Sequence, residues 1–173
     1  MSRMHVDEAS SWPLLERTER CHRRIEAQCR VLQQLQPCTP GDGQMAIAQS
    51  LLVCFDQALG EQRRDEEQVL FPAVVDSMAG SDAVCLRQMI EGLQDDHAAL
   101  ARLWDTLRAA LAATAAGPAP EWPAEAAAAF AERWQRHIAR EGGELLPMAA
   151  RLVDADELAR MENRARQPHR AAP

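Results

Sequence analysis

The sequence repeats itself. At an offset of 75 residues His22 falls on His97, Glu66 on Glu141, Phe55 on Phe130, Leu32 on Leu107, Leu70 on Leu145 and Pro72 on Pro147. Self-similarity at a fixed period marks two copies of one supersecondary unit. Each copy has the length of a helical hairpin, so two hairpins related by a pseudo-twofold axis are expected. One polar position breaks the register, because Gln62 lands on His137.

Glycine and proline punctuate the chain at 37–43, 79–82 and 117–123 and leave four long segments. Each segment carries apolar residues at helical spacing. The first places Leu15, Thr18, His22, Ile25, Cys29 and Leu32 on one stripe, and the second Leu52, Phe55, Leu59, Gln62, Glu66 and Leu70. The third runs from Leu86 through Ile90, Leu93, His97, Leu100 and Trp104 to Leu111, and the fourth from Phe130 through Trp134, His137, Glu141 and Leu145 to Met148. Such stripes predict amphipathic helices around a common interior. Start signals agree: Pro13 after Ser10 and Ser11, Asp42, Ser81 with Asp82, and Pro123 with Glu125. Short connections make neighbours antiparallel, so the expected fold is all-α, an up-down-up-down four-helix bundle. The chain is read as a lead-in at 1–10, the bundle at 11–152, and a segment at 153–173 with room for a short fifth helix around Asp154 to Asn163 before a disordered tail.

Composition narrows the function. A chain of 173 residues suits one domain with a sizeable core. A net charge of −7, with basic residues clustered only from Arg164 to Arg170, argues against nucleic acid as a partner. No apolar run approaches the roughly 20 residues of a membrane span. Acidic residues stand where a signal peptide would need an apolar run, so a cytoplasmic chain is expected. Five cysteines without a Cys-x-x-Cys pair suit reduced thiols, read as small core hydrophobes after Cys29 on its apolar stripe. All 19 basic residues are arginine and there is no tyrosine, so Schiff-base lysine, phosphate-loop lysine and tyrosyl chemistry are excluded.

What remains is histidine, carboxylate, thiol or metal. At about 1.5 Å rise per residue from turns centred near residues 40, 80 and 118, His22, Gln62, Glu66, His97, His137 and Glu141 can reach one interior level. Residues four apart share a helix face, so Gln62 with Glu66, and His137 with Glu141, point inward together. Three imidazoles and two carboxylates in an apolar seam would each cost several kcal/mol unpaired. A metal offsets that cost, and this ligand mixture favours iron, manganese or zinc over calcium.

The ordered set resembles the hemerythrin-like, or HHE cation-binding, family. The matching text is Cys21-His22-Arg23-Arg24-Ile25, then Gln62-Arg63-Arg64-Asp65-Glu66 leading to Leu70-Phe71-Pro72, then Asp96-His97, then His137-Ile138-Ala139-Arg140-Glu141 with Leu145-Leu146-Pro147. The resemblance spans roughly residues 12 to 150 and meets five of six ligand positions. It implies non-haem iron, with Glu66 and Glu141 bridging two ions, His97 and His137 on one of them and His22 on the other. Gln62 stands where the family has a further histidine, and an amide oxygen is a poorer ligand than imidazole, so that ion should be held weakly or keep an open position.

The leading expectation is a module that binds or senses a small diatomic or oxidant, such as dioxygen or nitric oxide, or handles iron. A redox enzyme of peroxidase, oxidase or iron-sulphur repair type is the rival, since an open metal position is the mark of catalysis. A third reading is a structural or partner-binding bundle with a degenerate site, in which Gln62 pairs with Glu66. Trp12, Trp104, Trp122 and Trp134 read as packing, with Trp134 as an apolar wall to the site. Glu61, Asp65 and Glu67 read as a solvated face, because neighbouring residues turn about 100° from the ligand stripe. Glu144 reads as exposed or as a partner to a ligand.

Overall fold

A computed structural model describes residues 13–35, 42–78, 82–117 and 122–166. The lead-in at 1–10, Trp12, Cys38, the cap residues Ser10, Ser11 and Ser81, and the tail from 167 lie outside them. The first rod is α1 (Pro13–Gln34). The second is α2 (Asp42–Asp65), continued through a π-turn at Glu66–Leu70 into α3 (Phe71–Asp76). The third is α4 (Asp82–Ala116). The fourth is α5 (Ala124–Arg140), continued through a second π-turn at Glu141–Leu145 into α6 (Leu146–Leu152). A shorter α7 (Ala155–Arg166) follows, capped by Asp154, whose Oδ1 accepts from the backbone N–H groups of Asp156 at 2.9 Å and Glu157 at 3.2 Å.

The rods close a ring in which α1 packs on α2 and α5, and α4 packs on the same two. This is the up-down-up-down bundle that the stripes predict. The fifth helix also forms. Its Leu158 is buried and Met161 half-buried against the end of the bundle nearest α1 and α3.

Both wide turns have the same cause. Pro72 and Pro147 lack an N–H and crowd the carbonyl four residues before them, so an α-helical ladder cannot run straight through. The ladder widens instead, with Phe71 N–H donating to Glu66 C=O and Leu146 N–H to Glu141 C=O. The turns sit 75 residues apart and each begins at the repeated glutamate, so the sequence repeat is a structural one.

The apolar interior falls into two parts. One contains Ile25, Leu32, Leu51, Phe55, Leu107 and Phe130; the other contains Leu14, Val69, Leu70, Leu86, Leu93 and Leu145. Three of the four stripes are buried as expected over nearly their whole length. The second is displaced: Ala48, Leu51, Phe55, Ala58 and Gln62 are buried, while Leu52 and Leu59 are only half-buried at its edge. Alanine at 48 and 58 lets the backbone lie close to its neighbours, so the smaller residues face the axis and the larger leucines flank it. The cysteines also divide, because Cys29 is a core residue, Cys21 and Cys54 are half-buried and Cys85 is exposed. None of the described helices is long and apolar enough to cross a membrane.

Candidate metal centre

Between the two apolar clusters the described residues form a polar layer. His22 comes from α1, Gln62 from α2, Glu66 from the first π-turn, His97 from α4, His137 from α5 and Glu141 from the second π-turn. All six are buried, and Glu66, His137 and Glu141 have no exposed surface. The six positions singled out in the sequence are thus brought together at one height.

Glu66 is the hub. Its Oε2 lies 2.9 Å from His97 Nε2 and 3.9 Å from His137 Nε2, and its Oε1 lies 3.8 Å from His22 Nε2. Glu141 Oε2 faces His22 Nε2 at 3.0 Å and His137 Nε2 at 3.6 Å. Two triads of potential ligand atoms result, Glu66 with His97 and His137, and His22 with Glu66 and Glu141, each confined within 4.8 Å. Glu66 belongs to both.

These distances are short, but the atoms do not satisfy one another. Both carboxylate oxygens of Glu66 and of Glu141, Nε2 of His97 and both ring nitrogens of His137 are buried without a directional hydrogen bond from the protein. Orphaned buried polar atoms are rare because each costs its desolvation. Unpaired atoms from four side chains, with His22 beside them, gathered at a common interior suit a cation, and the mixture of imidazole and carboxylate suits a transition metal. The donor set therefore fits the metal that the sequence suggests.

Charge within the layer is redistributed by the same contacts. Burial opposes ionisation of Glu66, but His137, His22 and His97 together outweigh it and hold its carboxyl well below the usual range. Glu141 moves the other way, pushed up by burial and by the Glu66 carboxylate against the pull of His22 and His137. For His22, burial is outweighed by Glu141 and Glu66, and its pKa rises to about 9. His97 is likewise raised, against burial, chiefly by Glu66. A proton on imidazole thus supplies part of the positive charge that a metal would bring.

Gln62 is paired with His22 and not with Glu66. Its Nε2 lies 2.9 Å from His22 Nε2, while its Oε1 has no protein partner. Trp134 is the apolar wall expected of it, stacked on His137 with ring centroids 5.2 Å apart. Trp104 packs on Phe55 at 5.0 Å and donates from Nε1 to Asp56 Oδ1 at 3.0 Å.

One functional contact escaped sequence reasoning. Glu67, expected on the solvated face, has a side chain only 22 % exposed, with Oε1 2.8 Å from His97 Nδ1 and 3.0 Å from Arg63 Nε. The expectation assumed a regular 100° step, whereas Glu67 lies within a π-turn that changes the angle between successive side chains. Its repeat-related position is Gly142, so the internal alignment carried no signal for it. Asp65 is half-buried and paired with Arg17 at 2.8 Å. Glu61, which accepts from Gln57, and Glu144 are exposed and stand apart from the layer.

A cavity of about 170 Å³ joins the layer to the surface between α2 and α4. Its lining runs from exposed Gly60, Arg63 and Asp105 to buried Gln62, His97 and Trp134.

A family model described as Hemerythrin HHE cation binding domain matches residues 14–149. No curated protein and no solved structure matches the chain.

Proposed function

The chain belongs to the hemerythrin HHE cation-binding family, and from that premise we propose that its buried His–Glu layer is a non-haem iron centre that binds or senses a small molecule such as dioxygen or nitric oxide. The observation that carries the reading is the pair of triads sharing Glu66, whose buried lone pairs lack protein partners. Glu66 would contribute to both metal positions and Glu141 to the one beside His22. His97 and His137 serve the first position and His22 the second. Iron would supply one-electron redox chemistry and affinity for diatomic ligands there.

The protein's own part is to hold these donors ready. Glu67 accepts from Nδ1–H of His97 and so leaves Nε2 of that ring as the donor directed inward, the tautomer that ligation requires. The stacked Trp134 and the apolar clusters above and below wall in the layer on those sides. Gln62 offers an amide where an imidazole would complete the second position, so that position is the more weakly held and the more open to an incoming ligand. The cavity ending at Gln62 and His97 gives that ligand a path from solvent. The unpaired cysteines suit a reducing, cytoplasmic setting.

The same open position also supports the redox-enzyme reading, and turnover separates the two. The test is anaerobic loading with ferrous iron, elemental analysis, and absorption spectra before and after oxygen or nitric oxide. Retained iron with a stoichiometric, reversible spectral response supports binding or sensing. Sustained turnover of peroxide that is lost in His97→Ala supports the enzyme. A chain that retains no iron overturns both.

A further inference from the structure

The cavity between α2 and α4 is far larger than a diatomic molecule requires. At about 170 Å³ it matches the volume of roughly 150 Å³ in which an apolar protein cavity holds benzene. Leu59, Leu100, Ala101, Trp104 and Trp134 form most of its wall, and Trp134 is held in place by stacking on Phe130 and His137.

Three lining residues carry a buried polar atom without a hydrogen bond from the protein: Nε1 of Trp134, Oε1 of Gln62 and Nε2 of His97, the last turned towards Glu66 Oε2 at 2.9 Å and so away from a ligand in the cavity. Trp104 differs, since its Nε1–H is already taken by Asp56. An indole N–H can only donate, whereas one end of the Gln62 amide is committed to His22 and the other is free. Exchanging the amide oxygen and nitrogen would change which end is free without giving it a partner. A hydroxyl group both accepts and donates, so it is the one small neutral group that matches an indole N–H and either end of an amide.

The unpaired groups of Trp134 and Gln62 are neutral, and Arg63 at the mouth is already engaged by Glu67, so the pairing on offer suits a neutral hydroxyl. We propose that this cavity is a binding site for a small neutral aromatic alcohol, of the phenol class, with its ring between the apolar walls and its hydroxyl between Trp134 and Gln62. The site goes beyond the iron reading and does not depend on it, because every group named belongs to the polypeptide.

The test uses the full chain, as purified and after chelator treatment, with 4-fluorophenol and 4-fluorotoluene as probes of nearly equal shape followed by fluorine NMR. Saturable binding of the phenol, about tenfold tighter than the toluene, is expected in both preparations. Ala101→Leu, which fills the cavity near its mouth, should weaken both probes at least about tenfold. Trp134→Phe keeps an aromatic wall but removes the donor and should bring the two probes within about threefold of each other. Should that variant fail to fold by circular dichroism, Gln62→Leu provides the same comparison from the other partner. Equal affinity for the two probes in the parent chain, binding unaffected by Ala101→Leu, or binding that disappears on chelation would overturn the proposal, the last by placing the ligand on the metal.

Discussion

Glu67 Oε1 lies 2.8 Å from His97 Nδ1, on the side of the ring opposite the 2.9 Å contact between Nε2 and Glu66. The imidazole therefore lies between carboxylates from adjacent residues of one π-turn, hydrogen-bonded on the Glu67 side. A carboxylate behind a ligating histidine fixes its orientation and raises its basicity.

Glu67→Ala is accordingly expected to weaken metal retention by roughly 10- to 100-fold without removing a ligand. Competition against a chelator of known affinity measures this. Glu67→Gln, whose amide oxygen can still accept from Nδ1–H, should fall between the two. Retention equal to the parent chain in Glu67→Ala would show the contact to be incidental.

Replacing Gln62 by histidine restores the residue that the internal repeat predicts. Gln62→His should raise iron bound per chain from one to two, as read by elemental analysis after anaerobic loading. Its ring would enter beside His22, which now lies 2.9 Å from the Gln62 amide. An unchanged iron content would count against the assignment of His22 to a second metal position.

The metal-free protein should lose stability on the alkaline side of neutrality. The pKa of His22 rises from 6.5 to about 9 on folding, despite burial, through Glu141 and Glu66. A raised folded value means that the contribution is fully present below the unfolded pKa of 6.5 and is lost as pH climbs to about 9. His97 shifts in the same direction. Glu141, raised by burial and Glu66, adds loss of the same sign from about pH 4.5 upward. Urea unfolding of chelated protein at several pH values in this window should show the decline, and His22→Gln should flatten it. An equal slope in parent and variant would remove His22 as the cause.

Phe55 is the fully buried centre of the first apolar cluster, 5.0 Å from Trp104 and 5.4 Å from Phe130 between ring centroids. Phe55→Ala should cost about 3–5 kcal/mol in urea unfolding, from lost burial and the cavity left behind. Cα positions at the polar layer are supported by both clusters, so iron content should fall with stability. A loss under about 1 kcal/mol would mean that the cluster relaxes around the gap.

Sequence alone determined the four rods and the level at which the buried histidines and glutamates meet. Periodicity is a local property: residues three and four apart share a face whatever surrounds them, and His22, His97, His137 and Glu141 were legible for that reason. The 75-residue repeat then exposed Gln62 as the position that departs from its partner. Pro72 and Pro147 were equally visible, and they are what forces the ladder to widen just ahead of them.

Tertiary structure decided what depends on angle and contact. The π-turn brings Glu67 behind His97, an outcome that a fixed 100° step cannot yield. Packing shifted the buried face of α2 towards Ala48, Leu51 and Ala58, because approach between helices, not hydrophobicity alone, sets which side turns inward. Only the folded chain puts Gln62 against His22, 40 residues away, and leaves a cavity beside Trp134, whose lining is drawn from α2, α4 and α5 and meets through packing.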